Sequence, residues 1–153
     1  MILRKYPGLM PGLTAVLMIS MSPAYAHVTI QPKQSTAGLT ETYTIRVPTE
    51  KFTPTVRVEV GFPATLNVSS LESKPEWKIE EKKDTKGSVI GAILIGSIPT
   101  GKSESFRFTA QNPNAAGTLL LKVIQIYEDG TRSEWTGEAG TRTPAPSVEI
   151  LKK

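Results

Sequence analysis

Short runs in which apolar and polar residues alternate recur along most of the chain. In the clearest run, Tyr43, Ile45 and Val47 alternate with Thr44 and Arg46. Because successive side chains of a β-strand point to opposite faces, this run predicts a strand with one face in a core. Similar or β-branched runs predict six further strands, at residues 28–30, 56–60, 77–80, 89–95, 105–109 and 119–127.

Turn-forming residues separate these runs, and Glu128-Asp129-Gly130 predicts a hairpin whose second strand begins at Arg132. No helical period persists for three turns. Roughly seven to nine short strands with regular turns predict an all-β protein, an antiparallel β-sandwich of the immunoglobulin or fibronectin type. We expect one such domain over residues 27–137. A tail follows at residues 138–153, in which the apolar residues 148–151 are expected to add an edge strand.

The first 26 residues have the pattern of a secretion signal. Two basic residues precede an apolar run at residues 13–19, and Ala24 and Ala26 form a small-x-small cleavage site. The run is shorter than the about 20 residues that cross a bilayer. We therefore expect residues 1–26 to be removed and the mature protein to be periplasmic or secreted, without a membrane anchor. His27 then becomes its first residue.

The composition of the mature chain limits the kinds of function that it can have. Removing Arg4 and Lys5 with the leader leaves 16 basic against 14 acidic residues, a net charge of +2, and the basic residues are scattered, which argues against nucleic-acid binding. All four Met residues lie in the leader, Cys is absent, and His27 is the only His. A nucleophilic triad is therefore disfavoured, since no other imidazole exists to act as its base. Paired carboxylates such as Glu80-Glu81 fall on predicted strands, and we interpret them as solvated surface charges.

An N-terminal His27 carries an α-amine and an imidazole that can chelate one metal ion together. Such nitrogen donors suit copper, and the lack of sulfur ligands favours Cu(II) over Cu(I). Both groups bind only when deprotonated, so affinity is expected to fall in acid. Two nitrogens do not complete a copper site, so a carboxylate or water must be added. The alternative is that His27 is simply an exposed first residue.

Several motifs occur in an order typical of one family. They include His27-Val28-Thr29-Ile30-Gln31-Pro32, Val47-Pro48-Thr49-Glu50-Lys51, Pro75-Glu76-Trp77-Lys78, Ala110-Gln111-Asn112-Pro113 and Glu134-Trp135-Thr136-Gly137. Together they resemble the YcnI-like domain (formerly the DUF1775 family) over nearly the whole mature chain. One departure is Glu76, which stands where Gly is common in relatives and bears on the local turn.

The resemblance implies a copper-binding β-sandwich of the bacterial envelope with a mono-histidine brace. Carried over by motif, the amine and imidazole of His27 chelate Cu(II), with the Glu50 carboxylate and a nearby Trp135. Glu50 and Trp135 each have another interpretation. Glu50 can be a solvated charge at the end of a strand, and Trp135 can be a packing residue. Trp77 is expected in the sandwich core.

The implied function is copper homeostasis without catalysis, as a chaperone or buffer. The expected partners are the copper ion and a copper transporter or another envelope copper protein.

Two other functions stay open. Lytic polysaccharide monooxygenases also begin with a copper-ligating His, but their brace takes a second imidazole, and this mature chain has none. A metal-free adhesion or assembly sandwich would bind partners through a strand edge. In that case, an extra residue before His27 would change nothing measurable.

Overall fold

The computed structural model describes residues 26–153, so the predicted leader lies outside the described residues except for Ala26. Twelve strands follow in this order: β1 (Thr29–Gln31), β2 (Gln34–Thr36), β3 (Thr40–Pro48), β4 (Thr55–Gly61), β5 (Asn67–Leu71), β6 (Lys78–Lys83), β7 (Val89–Ile98), β8 (Ser103–Gln111), β9 (Gly117–Leu120), β10 (Lys122–Tyr127), β11 (Arg132–Trp135) and β12 (Ser147–Leu151). Within this part of the chain, no helix is long and apolar enough to cross a membrane.

The strands form two sheets. Nine belong to a large sheet with the order β1-β3-β8-β5-β7-β4-β10-β11, in which β6 pairs with β7 as a branch. Its longest ladder joins β3 and β8 antiparallel, from Thr40 opposite Gln111 to Pro48 opposite Ser103. The small sheet has the order β2-β12-β9. The predicted all-β sandwich is confirmed, and β10 and β11 form the predicted hairpin.

The core follows the alternation of the sequence. Tyr43, Ile45 and Val47 of β3 are buried, whereas Arg46 between them is exposed. Apolar side chains from both sheets complete the same cluster, including Val28, Ile30, Val58, Leu94, Phe108, Val123 and Val148. Burial of such side chains contributes roughly 1.5–3 kcal/mol each, so the alternating runs stabilise the sandwich directly.

Two predicted segments differ from the structure. Residues 119–127, expected as one strand, break at the buried Leu121, whose N–H donates to the Pro146 carbonyl oxygen, so β9 and β10 lie in different sheets. The tail residues 148–151, expected as an edge strand, lie in β12 between β2 and β9. Alternation shows which side chains are buried, but it carries no information about which strands become neighbours.

The turn before β6 shows the consequence of Glu76. Trp77 N–H donates to the Lys74 carbonyl oxygen, and Glu76 has φ of 65°, in the left-handed region. Pro75 followed by a positive φ is typical of a type II turn, which favours Gly at the position of Glu76. The turn lets Trp77 pack edge-on against Phe106 with ring centroids 4.7 Å apart, half-buried at the margin of the core.

Candidate functional site

One end of the large sheet brings together residues that are distant in sequence. Strand β1 pairs antiparallel with β3, with Thr29 opposite Arg46. Continuing this register by two residues places His27 beside Pro48, where β3 ends. Glu50 follows two residues later, so the start of the predicted mature chain and Glu50 meet at the same corner.

Direct contacts define this corner. The imidazole of His27 lies beside the indole of Trp135, with ring centroids 6.0 Å apart and planes tilted by 59°. The main-chain N–H of Ala26, the residue immediately before His27, donates a hydrogen bond to Glu50 Oε1. His27 is half-buried and Glu50 is exposed. The structure therefore brings His27, Glu50 and Trp135 together, with the predicted cleavage point between them.

Trp135 serves as core residue and as wall of the corner. Its side chain is only 7% exposed, and its indole Nε1 donates to Gln125 Oε1 over 3.1 Å. Gln125 is fully buried, and its Nε2 donates to the Pro48 carbonyl oxygen at 2.7 Å and to Thr55 Oγ1 at 2.5 Å. Gln125 was not predicted. Its only signal is a polar residue at an inward-facing position of β10.

The backbone before Glu50 is held on both sides. Thr49 N–H donates to the Lys102 carbonyl oxygen at 2.8 Å, and Gly101 N–H donates to the Thr49 carbonyl oxygen at 2.8 Å. The buried Thr49 hydroxyl also hydrogen-bonds the Thr55 hydroxyl at 2.6 Å. Because these main-chain and side-chain groups are paired, the chain direction at Glu50 is defined and its carboxylate projects to the surface.

A cavity of about 170 Å³ opens beside the corner. Its lining comprises Pro48, Glu50, Lys51, Tyr127, Ser133, Trp135, Arg142 and Thr143. Lys51 Nζ lies 4.3 Å from the centroid of the Tyr127 ring and donates to Thr131 Oγ1 at 3.1 Å. The Tyr127 and Ser133 hydroxyls are hydrogen-bonded at 3.1 Å.

Tyr127 is buried and also lines this cavity. Burial raises the pKa of its hydroxyl above the usual value, against the opposing effect of the Ser133 hydrogen bond. The negative charges of Glu50 and Asp129 raise it further. The hydroxyl is therefore neutral at physiological pH and keeps its hydrogen for donation.

Side chains alone offer few metal ligands here. In residues 26–153, no group of three or more His, Cys, Asp or Glu side chains is arranged to share a metal ion. At the corner, the side-chain donors are the His27 imidazole and the Glu50 carboxylate, a set of nitrogen and oxygen donors.

Comparison with known sequences identifies relatives of the chain. A family model described as "Domain of unknown function (DUF1775)" matches residues 27–150. The chain is 37% identical over 144 residues to the copper-binding protein CutI of Bacillus subtilis (strain 168), an alignment that covers 93% of the chain and 71% of CutI.

Comparison of structures shows the fold. The chain resembles an uncharacterized protein from Nocardia farcinica with an immunoglobulin-like fold, with a TM-score of 0.72, 22% identity and coverage of 82% of this chain and 98% of that one. A cohesin module from a Clostridium perfringens glycoside hydrolase matches with a TM-score of 0.53, 14% identity and coverage of 83% and 97%. The sandwich is therefore of the immunoglobulin-like type.

Proposed function

The chain belongs to the DUF1775 family, and from this membership and the corner at His27 we propose that it binds copper as Cu(II) in copper homeostasis. It acts as a chaperone or buffer and not as an enzyme. The name of its relative CutI, a copper-binding protein, supports copper as the metal.

The observation that carries the proposal is the meeting of the Ala26–His27 peptide with Glu50. The Ala26 nitrogen contacts the Glu50 carboxylate, and the His27 ring lies beside Trp135. Cleavage after Ala26 converts the next main-chain nitrogen, that of His27, into a free amine. The corner then offers an amine, an imidazole and a carboxylate, and Cu(II) has high affinity for such nitrogen and oxygen donors.

Trp135 limits access of water to this site. Its indole is held by the buried Gln125 and presents one wall to His27. An aromatic face beside a cation also attracts it electrostatically. The buried wall therefore favours a bound ion without donating a ligand atom.

The site is created by processing. Before cleavage, the nitrogen of His27 is an amide, which is a poor metal ligand, so the uncut precursor lacks the third donor. We propose that the protein is exported to the periplasm or secreted, where the leader is removed. There it exchanges copper with a transporter or another envelope copper protein.

Titration with Cu(II) tests the proposal on protein that begins at His27. We expect one ion per chain and at least a tenfold loss of affinity, about 1.4 kcal/mol, in His27→Ala, in Glu50→Gln and in a chain extended to retain Ala26. Glu81→Gln, a charge change on β6, is the matched control. Unchanged affinity in His27→Ala and in the extended chain contradicts the proposal and favours a metal-free sandwich.

Spectroscopy distinguishes the residues that ligate the metal from Trp135, which only lies beside it. The EPR spectrum with one equivalent of Cu(II) is expected to show coupling to the amine and imidazole nitrogens of His27, and the imidazole coupling is expected to disappear in His27→Ala. Because only Trp135 lies beside His27, Cu(II) is expected to quench the fluorescence of Trp77→Phe strongly and that of Trp135→Phe weakly. Equal quenching in both variants places the ion elsewhere.

A further inference from the structure

The outer face of the large sheet carries charged side chains on every second strand. Five neighbouring strands form this face, in the order β11, β10, β4, β7 and β6. Three of them, β11, β4 and β6, each contribute one basic and one acidic side chain. These are Arg132 with Glu134, Arg57 with Glu59, and Lys78 with Glu80. Within each strand the two form an ion pair, at 2.9, 2.7 and 2.6 Å respectively.

The two strands between them carry isoleucines on the same face. Ile124 and Ile126 lie on β10, and Ile93 and Ile95 lie on β7. Ile95 is 37% exposed, and the other three are half-buried. The ladders align one isoleucine of each strand with the three basic residues and the other with the three acidic residues. This surface, called the striped face below, therefore has a basic row and an acidic row about 7 Å apart, each interrupted by two isoleucines.

The striped face is complementary to itself. A two-fold axis that runs across the strands, midway between the rows, places each strand opposite the same strand of a second copy and exchanges the two rows. Arg57 then faces Glu59 of the second copy, and Ile124 faces Ile126 of the second copy. An axis along the strands would instead place Arg57 opposite Arg57 of the second copy, where like charges repel. The charges therefore favour one of the two orientations.

We propose that the striped face binds a second copy of the chain and forms a two-fold symmetric dimer. Burial of the isoleucines supplies the attraction, since apolar area removed from water is the main driving force of association. Exposed ion pairs add little affinity, but inverted pairs facing each other fix the orientation. Twisted sheets pack face to face at about 30°, so the central strands β10, β4 and β7 stay closest to register and carry the contact.

The size of the striped face sets the expected strength of the dimer. Five strands spaced about 4.8 Å apart span roughly 20 Å. The contact therefore belongs to the small, transient interfaces that bury less than about 1,200 Å² in total, and we expect a Kd on the order of 100 μM. None of the residues in this contact belongs to the proposed copper site, so the dimer and copper binding are tested separately.

Sedimentation velocity measures the association of protein that begins at His27. We expect conversion from monomer to dimer as its concentration rises from about 10 μM to about 1 mM. Ile95→Glu suits the monomer, because its carboxylate lies between Arg57 and Lys78, but it introduces a charge into the apolar contact. This variant is expected to associate about tenfold more weakly or less. Leu120→Glu, at an exposed apolar residue of β9 in the small sheet, is the matched control.

Exchange of the two central charges tests the orientation. Arg57→Glu combined with Glu59→Arg keeps an ion pair within each chain and keeps opposite charges facing between two exchanged chains. A parent chain facing an exchanged chain has like charges opposite each other. Isotope-labelled chain is titrated with unlabelled chain and followed by NMR. We expect saturating amide shifts at Ile93, Ile95 and Ile124 in both matched titrations, and about tenfold weaker binding in the mixed one.

Two results would overturn the dimer at the striped face. One is a chain that stays monomeric up to about 1 mM, and the other is association as strong in Ile95→Glu as in the Leu120→Glu control. Equal affinity in the mixed and matched titrations overturns the two-fold arrangement. Each of these results leaves the copper proposal standing, and loss of Cu(II) binding leaves the dimer standing. Thermal unfolding of each variant verifies that it is folded.

Discussion

The indole nitrogen of Trp135 donates a hydrogen bond of 3.1 Å to the side-chain oxygen of Gln125. The amide nitrogen of Gln125 donates in the opposite direction, to the Pro48 carbonyl oxygen at the end of β3. One fully buried side chain thus joins the aromatic wall beside His27 to the strand that leads to Glu50. Unpaired polar groups are costly in such surroundings, so this arrangement depends on each hydrogen bond being made.

Gln125→Leu is expected to lower the free energy of unfolding by about 2–4 kcal/mol. The substitution leaves the Trp135 indole N–H and the Pro48 carbonyl oxygen buried without these partners, and each orphaned group costs about 1–3 kcal/mol. Urea denaturation measures the change. Gln111→Leu, at an exposed position of β8, is the control and is expected to change stability by less than about 0.5 kcal/mol.

The same variant is informative about the proposed copper site. Gln125 bonds to Trp135 and to the end of β3, the two elements that carry the site, so it acts as a positioning residue. We expect Gln125→Leu to weaken Cu(II) binding severalfold while the EPR spectrum keeps its nitrogen coupling. Unchanged affinity in folded Gln125→Leu would show that Trp135 needs no anchor.

Alkaline pH is expected to destabilise the protein through two buried tyrosines. Burial is the main cause that raises the pKa of Tyr43 and Tyr127 above the usual value of about 10. The unfolded chain then loses these protons first, so stability is complete below pH 10 and falls as pH rises through the folded-state pKa.

Urea midpoints between pH 8 and pH 11 test this for the chain that begins at His27, in which Tyr43 and Tyr127 are the only tyrosines. The loss of stability with rising pH is expected to be smaller in Tyr127→Phe. Ser133, which loses its hydrogen-bond partner in this variant, is half-exposed. An identical pH slope in the variant and the parent assigns the alkaline loss to other groups.

Glu76→Gly is expected to raise stability by about 0.5–1 kcal/mol. Glu76 has φ of 65°, a conformation that costs roughly 1–2 kcal/mol for a residue with a Cβ, and the greater unfolded-state freedom of Gly offsets part of the gain. Glu76→Ala keeps the Cβ and is the matched control. A stabilisation of the same size in Glu76→Ala would mean that charge, and not backbone conformation, is responsible.

Gly96→Ala is expected to destabilise the fold by about 1–3 kcal/mol, as overpacking does. A Cβ at Gly96 would lie 2.4 Å from Cδ2 of the Trp77 indole, so the ring must leave its contact with Phe106. Fluorescence of Trp135→Phe, which retains only Trp77, reports this movement. Gly61→Ala is the control, since the nearest atom would lie 3.5 Å away and no strain arises.

Part of the site was accessible from the sequence. His27 follows from the cleavage pattern and from being the only His, whereas Glu50 and Trp135 came from family motifs and not from their spacing. The structure places all three at one corner. Gln125 and the cavity around Lys51 were missed, because a lone Gln or Lys in a strand or loop has many ordinary roles.

The sequence by itself determined the class of the fold and the inward faces of its strands. Alternation along Tyr43, Ile45 and Val47 is a local property, since each side chain of a strand is directed by its own backbone.

Only the tertiary structure decided which strands are neighbours and what meets at the ends of the large sheet. Leu121 bonds to Pro146, β12 lies between β2 and β9, and Gln125 bonds to Pro48. Each of these contacts joins residues far apart in the chain. Such pairings depend on packing of the whole core and on satisfying buried polar groups together, so no local pattern encodes them.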